Sequence, residues 1–416
     1  MARTVANLSI GGASEYPFIN FLKSMSSMRS SAGYNFVSVL DDNGYPTSTL
    51  SSGINSTVDL PRPWNDGTQW VVGFSGTGRL LINTGTSVVS GGSFVVGATT
   101  FTMTVSGTNP RVVFTFTGDS TNVLIAFPSG YAYDGSMSGA YLCRLSDETA
   151  LLSGEIFNPD YLDLLNDMNP RILRSLGWVN PNDSNCAVHF AYRKPLSYMW
   201  YGGYRWVSSI NVGTISGTDT YTCGAATDTP ASWTQGEQFT GLVTNTNTST
   251  TPTINVNSRG AKTIVNAYGK AIAAGDMTAN TLATFVYDSD IDKVFYYVGG
   301  VRNNFPVAVV VALANKLNKD MWWCIPHWYT DASVTAEIEY IRDNLSAGLD
   351  LYIEYSNEVW NFAAAFHQTD YAEKKGEALG FASGSSRRHY GWYALRSRQI
   401  FGLAETAWSP RASSKL

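Results

Sequence analysis

A carboxylic acid beside an amide, at the end of a strand-like run, is the part of this sequence best suited to chemistry. Residues 351–361 read LYIEYSNEVWN, and the alternation that precedes Asn357 predicts a β-strand. Glu358 follows Asn357, with Tyr355 and Trp360 on either side of the pair. A glutamate held among aromatic rings can transfer a proton to a substrate that packs against those rings. The pattern predicts a general acid for cleavage of a glycosidic bond.

Two further runs predict strands that end in aromatic or polar side chains. Residues 172–178 read as a buried strand that ends at Trp178, and residues 321–325 as a strand followed by His327. Apolar residues at helical spacing over 334–345 separate the latter from the run before Glu358. Strand and helix in this order predict parallel strands with crossover helices, and in a closed barrel of this kind the chemistry lies at the carboxyl ends of the strands.

Two long segments differ from the rest of the chain in composition and residue pattern, and they predict all-β structure. Between residues 67 and 145, short alternating runs are separated by Gly, Ser, Thr and Asn, which indicates an antiparallel sandwich that either packs or contacts sugar. Between 212 and 299, Thr, Asn and Gly dominate, which indicates a second all-β insertion or a separate small domain. The predicted fold class is therefore α/β, a partial (β/α)8 barrel built from 1–66, 146–211 and 300–416 and interrupted by two all-β domains.

Composition narrows the set of partners. A chain of 416 residues has room for two or three domains, and a net charge of −5 without a Lys/Arg cluster argues against nucleic acid. The sequence contains no run of about 18 apolar residues, so we expect no membrane span. The N-terminal residues do not have the pattern of a secretory signal. The four cysteines lie far apart with no His at ligand spacing, so we expect no metal and no cofactor.

Several segments together resemble a known family. LDDNGYP, FNPDYL, NPRILRSLGW, VVVALANKL, MWWCIPHWYTD and LYIEYSNEVWN are similar to a cellulase-like branch of the clan of (β/α)8 retaining glycoside hydrolases, in which a small β-sandwich interrupts the barrel early. The resemblance implies that Glu358 is the general acid/base and that Asn357 hydrogen-bonds the sugar 2-hydroxyl. It also implies that His327 and Trp178 line the subsite, and that Trp360 stacks on the sugar or packs behind it.

A second resemblance concerns the insertion near residues 222–299, in which residues 251–288 are the similar stretch. TPTINVNSRGAKTIVNAYGKAIAAGDMTANTLATFVYD looks like a small β module of phage tail fibres and tail-associated proteins. It implies a phage or prophage gene, virion or tail proteins as possible partners, and a location in the virion or the host cytoplasm.

The second carboxylate that glycoside hydrolysis needs is less evident. Glu354 lies on the same strand face as Glu358, and four residues at about 3.3 Å each place it about 13 Å deeper, where an inner polar role is expected. Glu405 lies in a segment that the pattern does not place, and the resemblance implies a glutamate on a seventh strand for which the chain has no candidate. We therefore expect a truncated or frame-altered version of a longer enzyme. Arg174 is a candidate substrate-binding residue, and we expect it to pair with an inner carboxylate such as Glu354 or Glu358.

Two functional hypotheses follow. The first is a glycoside hydrolase, or its remnant, that acts on a β-linked polysaccharide or oligosaccharide through Glu358. The second is a non-catalytic carbohydrate-binding or structural protein of a virion or tail, which keeps the aromatic residues around Glu358 for binding but does not cleave the glycan. Structural alternatives stay open for single residues, because Glu358 could pair with an arginine, and His327 and Trp178 could belong to the core.

Overall fold

The chain is described by a computed structural model that covers most of its length. The described residues are 5–7, 17–25, 29–30, 40–41, 43–50, 53–58, 67–84, 88–89, 93–96, 101–116, 123–179, 196–199, 201, 210–224, 231–234, 237–265, 271–279, 281–289, 291–298, 305–327, 329–362, 367–382 and 387–409.

Within those residues the strands outnumber the helices. The strands are β1 (Val5–Asn7), β2 (Arg29–Ser30), β3 (Ile54–Val58), β4 (Gln69–Ser75), β5 (Thr77–Thr84), β6 (Val88–Val89), β7 (Ser93–Val96), β8 (Phe101–Thr108), β9 (Arg111–Phe116), β10 (Val123–Phe127), β11 (Ser138–Arg144), β12 (Ile172–Arg174), β13 (Ile210–Ile215), β14 (Thr220–Cys223), β15 (Gln238–Val243), β16 (Thr253–Val256), β17 (Lys262–Val265), β18 (Thr281–Asp288), β19 (Lys293–Val298), β20 (Asp320–Ile325) and β21 (Leu351–Tyr355). The α-helices are α1 (Glu148–Leu152), α2 (Pro159–Met168), α3 (Leu176–Val179), α4 (Val307–Leu317), α5 (Asp331–Asn344), α6 (His367–Ala378) and α7 (Arg387–Trp408), and 3-10 helices span Phe21–Ser24 and Leu145–Asp147.

A four-stranded parallel sheet carries the segment around Glu358. Its order is β1-β12-β20-β21, and each neighbouring pair is parallel. Strands β20 and β21 are joined through α5, which starts at a capping residue, Thr330, whose side chain accepts a hydrogen bond from the Ser333 amide. Val334, Ile338 and Ile341 of α5 are buried against this sheet. The strand–helix–strand pattern in the sequence thus corresponds to a parallel crossover here.

The predicted fold class, a partial (β/α)8 barrel, is wrong. Among the described residues only four strands are parallel neighbours in one open sheet, and the other strands belong to antiparallel or mixed sheets. A closed (β/α)8 barrel requires eight parallel strands, each followed by a helix. Local strand–helix patterns specify a parallel pair, but they do not specify that the sheet continues into a ring.

Two antiparallel sheets pack against each other and form a second unit of the fold. One has the order β2-β3-β10-β5-β8-β7 and the other β11-β4-β9-β6. Trp70 and Phe74 of the second sheet share a buried core with Leu80 and Ile125 of the first. Strands β2 and β3 lie before residue 67, in the part of the chain that the sequence assigned to the barrel. They nevertheless pair within the first of these antiparallel sheets and not with the parallel sheet. The domain boundaries proposed from the sequence stay a prediction.

A seven-stranded mixed sheet, β13-β15-β18-β19-β17-β16-β14, occupies residues 210–298. Its two edge strands, β13 and β14, lie close together, and an isolated bridge pairs Ser216, just after β13, with Thr222 of β14. The sheet is therefore a nearly closed barrel. Its interior is apolar and includes Phe239, Phe285 and Tyr296. We refer to it below as the seven-stranded unit.

The core of the parallel sheet extends to neighbouring elements. Val265, Val286 and Phe295 of the seven-stranded unit belong to the same buried cluster as Met321 and Trp323 of β20. Helices α4 and α7 contribute further buried residues to this cluster. Among the described residues, no helix is both long enough and apolar enough to span a bilayer.

Candidate functional site

The turn after β21 has a strained backbone. Ser356 continues the parallel ladder, since its amide donates to the Ile325 carbonyl at 2.7 Å. Ser356 and Glu358 both have left-handed backbones, with φ of 58° and 44°. Such conformations cost non-glycine residues about 1–3 kcal/mol each and persist only where the surroundings enforce them. We refer to residues 356–358 as the strained turn, and its strain makes the side chains that it presents candidates for a functional role.

Glu358 lines a cavity of about 380 Å³ at the end of β21. This volume lies within the range of about 300–1,000 Å³ that small-molecule sites occupy. The lining residues are Arg174, Glu354, Tyr355, Asn357, Glu358, Val359, Trp360, Tyr390 and Tyr393. Polar and charged groups come from β12, β21 and the strained turn. Aromatic rings come from the end of β21, from Trp360 just after the strained turn and from α7.

Arg174 organises the polar wall of this cavity. Its Nη2 and Nε atoms donate to Glu354 Oε2 at 2.6 and 3.2 Å, and Nη2 also donates to Asn357 Oδ1 at 3.1 Å. The guanidinium lies 4.8 Å from the centre of the Trp322 ring. Burial acts to lower the pKa of Arg174, but its hydrogen bonds to Glu354 and the negative charge of Glu354 outweigh it, so the pKa lies above its ordinary value. The arginine therefore stays charged and fixes both side chains.

Glu354 has a further contact on the same oxygen. The Cys324 thiol lies 3.4 Å from Glu354 Oε2. Burial, followed by the negative charge of Glu354, raises the pKa of the Cys324 thiol. The thiol is consequently protonated at neutral pH and acts as a weak S–H donor to the carboxylate. Glu354 is thus a carboxylate held by three donor atoms.

Glu358 is held differently. Its Oε2 atom accepts one hydrogen bond from Asn361 Nδ2 at 3.0 Å, and its carbonyl accepts from the Asn361 amide at 2.9 Å. An amide donor is neutral, so it orients the carboxyl group without adding a positive charge. The cavity therefore contains two acids, one fixed in an ion pair and one held by a neutral group.

Exposed aromatic rings border the cavity. Trp360, Tyr390 and Tyr393 all line it and are 56%, 47% and 37% exposed. Tyr393 stacks on the buried Tyr355 with a centroid separation of 5.8 Å. Large aromatic rings that stay in water beside a concave site offer flat apolar faces to a ligand.

The structure brings together four of the six site residues predicted from the sequence. Arg174, Asn357, Glu358 and Trp360 line one cavity. Arg174 pairs with Glu354, which is one of the two partners expected for it.

The other two predicted site residues do not line this cavity. Trp178 is fully buried between Phe18, Tyr161 and Phe305, whose ring centroids lie 5.0–6.3 Å away. Trp178 lies in α3, one turn beyond the end of β12, and this turn directs the ring into the core.

His327 is also buried. Its ring contacts Tyr371 edge-on at 5.0 Å, and its carbonyl accepts a hydrogen bond from the Tyr355 hydroxyl at 2.8 Å. His327 therefore holds the Tyr355 hydroxyl through its backbone carbonyl, and it is not one of the residues that line the cavity.

Five of the nine lining residues were not among the site residues predicted from the sequence, namely Glu354, Tyr355, Val359, Tyr390 and Tyr393. Glu354 was placed deeper in the fold, although it lines the same cavity as Glu358. Tyr390 and Tyr393 lie on α7, and their spacing of three residues places both rings on one helix face. That spacing was the available signal, but the cavity that the face meets depends on the packing of α7.

The comparisons with known proteins do not assign this site. No protein-family model matches the chain, and none of the curated proteins matches it. Within the described part of the chain, no group of three or more His, Cys, Asp or Glu side chains is arranged to hold a metal ion. The chemistry of the cavity is therefore inferred from its own residues.

Proposed function

We propose that the cavity binds a carbohydrate and that Glu358 donates a proton to the oxygen of a glycosidic bond. One observation carries the proposal. Glu358 and a second carboxylate, Glu354, line the same cavity beneath the exposed rings of Trp360, Tyr390 and Tyr393. Two carboxyl groups are what most glycoside hydrolases use, and flat aromatic faces suit the apolar faces of sugar rings.

The two acids would have separate roles. Glu354 is ion-paired with Arg174 and is the carboxylate of the pair, which suits a base, a nucleophile or a stabiliser of positive charge. Among the described residues, the Glu358 side chain accepts a hydrogen bond only from the neutral Asn361 amide, which suits the acid that protonates the departing oxygen. Asn357 offers Arg174 its Oδ1 atom, which leaves its Nδ2 donor for a substrate hydroxyl.

The stereochemistry of the product would define the role of Glu354. A separation of about 5–5.5 Å between the carboxyl groups suits a covalent intermediate, and about 6.5–9.5 Å suits attack by a water molecule. Proton NMR of the first anomer released would distinguish retention of configuration, with Glu354 as nucleophile, from inversion, with Glu354 as the base for water.

A non-catalytic carbohydrate-binding protein is the second candidate. The observation that favours it is the number of donors on one oxygen of Glu354, which accepts from two nitrogens of Arg174 and from the Cys324 thiol. A carboxylate held by three donors is a weaker nucleophile than one held by fewer. Under this alternative, the cavity and its aromatic border bind glycan without cleaving it.

Hydrolysis of a polysaccharide panel tests the proposal. Reducing-sugar release is measured on soluble β-1,3- and β-1,4-glucans, xylan and bacterial capsular polysaccharide for the wild type, Glu358→Gln and Glu354→Gln. Loss of a general acid lowers the rate by about 10²–10⁴-fold, so the Glu358→Gln variant should show a loss of this size. Equal release from wild type and Glu358→Gln would remove Glu358 from the chemistry.

Binding is measured separately by affinity electrophoresis on the same panel. Trp360→Ala should weaken binding by about tenfold, which corresponds to about 1.4 kcal/mol. Phe401 is the matched control, because it is an exposed aromatic on α7 that does not line the cavity. Phe401→Ala should bind like the wild type, and equal weakening by both variants would contradict stacking at Trp360.

A further inference from the structure

The first turn of α6 holds the strained turn by its carbonyl groups. Gln368 Nε2 donates to the Asn357 carbonyl, and the single Thr369 hydroxyl proton is donated to the Asn361 carbonyl at 2.6 Å, with the Glu358 carbonyl as a weaker second acceptor at 3.4 Å. Both side chains are fully buried. The backbone on both sides of the Glu358 side chain is therefore tied to one helix end.

The same helix is anchored to the seven-stranded unit two turns later. Lys375 Nζ lies 3.1 and 3.2 Å from the two carboxylate oxygens of Asp288, at the end of β18. The two side chains are only 3% and 4% exposed. Lys375 Nζ also lies 5.1 Å from the centre of the Trp392 ring, so the ammonium group contacts α7 as well.

Lys375 and Gln368 occupy the same face of α6. Seven residues are close to two helical turns, which is a rise of about 10 Å along the axis. A helix of this length is rigid, so a shift or rotation at Lys375 moves Gln368 and Thr369 with it. Phe295 of the seven-stranded unit contacts Tyr371 of α6 at a centroid distance of 6.1 Å, which places a second contact between the two anchoring points.

We propose that the Lys375–Asp288 pair is a positioning element for Glu358, and that the seven-stranded unit is thereby part of the candidate site rather than an independent appendage. Two left-handed residues, Ser356 and Glu358, need an enforced environment. Helix α6 supplies that enforcement through three carbonyls, and the buried ion pair fixes α6 against the seven-stranded unit. The catalytic consequence rests on the proposed function, whereas the positional consequence does not.

Hydrogen exchange and kinetics test this proposal on the full chain. Asp288→Asn removes the carboxylate of the pair, and the double variant Lys375→Met with Asp288→Asn removes both of its charges together. Exchange is followed at the Ser356 and Asn361 amides, whose acceptors are the Ile325 and Glu358 carbonyls. Lys374→Met is the matched control, because Lys374 forms an exposed ion pair with Glu377 on the same helix.

Both pair variants should exchange these two amides about tenfold faster, and Lys374→Met should exchange them as the wild type does. Turnover should fall by about 10–100-fold with a smaller change in KM, since a misplacement of about 1 Å costs about 10²-fold in rate. Circular dichroism establishes that the variants are folded. A folded double variant with wild-type exchange at both amides would overturn the proposal.

The two proposals fail independently. If the wild type releases no sugar from any substrate, the proposed hydrolysis fails while the exchange result still decides the positional role. If the wild type hydrolyses a glycan and the folded double variant matches it in both turnover and exchange, the positional role fails alone.

Discussion

The ion pair between Arg174 and Glu354 should contribute measurably to stability as well as to the geometry of the cavity. Arg174→Met removes two hydrogen bonds to Glu354 Oε2 and one to Asn357 Oδ1. Hydrogen bonds that involve a charged group contribute about 1.5–3 kcal/mol each. The side chains of Arg174 and Glu354 are only 16% and 22% exposed, so solvent screens the pair partially.

A coupling free energy of about 1.5–3 kcal/mol between Arg174 and Glu354 is therefore expected. It is obtained from a double-mutant cycle of wild type, Arg174→Met, Glu354→Gln and the double variant. Urea unfolding at pH 7 is followed by tryptophan fluorescence, to which the neighbouring Trp322 contributes. Arg174→Met alone should cost about 3 kcal/mol, because it leaves the Glu354 carboxylate mostly buried without its cation.

An exposed pair on the same chain is the control for this cycle. Lys374 and Glu377 form an ion pair on α6 with side chains 33% and 44% exposed. Exposed pairs of this kind contribute about 0.3–0.5 kcal/mol. A coupling at Arg174 and Glu354 no larger than at this control pair would refute the reasoning that Arg174 organises the polar wall.

Two other predictions concern packing and pH. Gly376→Ala should lower the free energy of unfolding by about 1–3 kcal/mol, because the added Cβ would lie 2.3 Å from the Arg388 carbonyl oxygen of α7. Gly402→Ala has open space around the added Cβ and should raise the free energy of unfolding by up to about 1 kcal/mol. Thermal unfolding of both variants checks this, and a change of the same sign in both would contradict the close approach of α6 and α7. The hydrogen bond from Arg111 lowers the pKa of Glu148 below its ordinary value of 4.5, so the stabilisation is present above that pH and is lost as the pH falls through the folded-state pKa. Glu148→Gln should therefore cost about 1 kcal/mol at pH 7 and progressively less towards pH 3, and a cost independent of pH would exclude the carboxylate as its source.

The sequence pattern predicted the strand before Glu358 because alternation reports directly on a two-sided local structure. It misplaced Glu354 because the estimate of depth extended a straight strand through Glu358. The chain instead turns through left-handed residues at Ser356 and Glu358, so two acids four residues apart line one cavity. Ser and Glu rarely adopt this conformation, and only tertiary contacts such as those of Gln368 enforce it.

Features that depend on packing between distant elements were not predictable in the same way. A tryptophan after a strand reads alike whether it faces a cavity or the core, and Trp178 is in the core because α3 begins at Leu176. The closure of a parallel sheet into a barrel is likewise not encoded in any single strand–helix unit. The rings of Tyr390 and Tyr393 reach the cavity through the packing of α7 against α5 and α6, for which local periodicity gives no orientation.

The most direct test of the account is the rate of glycan hydrolysis by Glu358→Gln relative to wild type, measured with binding to the same glycan. Gln has nearly the shape of Glu but cannot donate a carboxyl proton. The account predicts that Glu358→Gln binds the glycan within about twofold of the wild type, which is less than 0.5 kcal/mol, and releases sugar about 10²–10⁴-fold more slowly. Equal rates of release, or a wild type that neither binds nor cleaves any glycan of the panel, would contradict it.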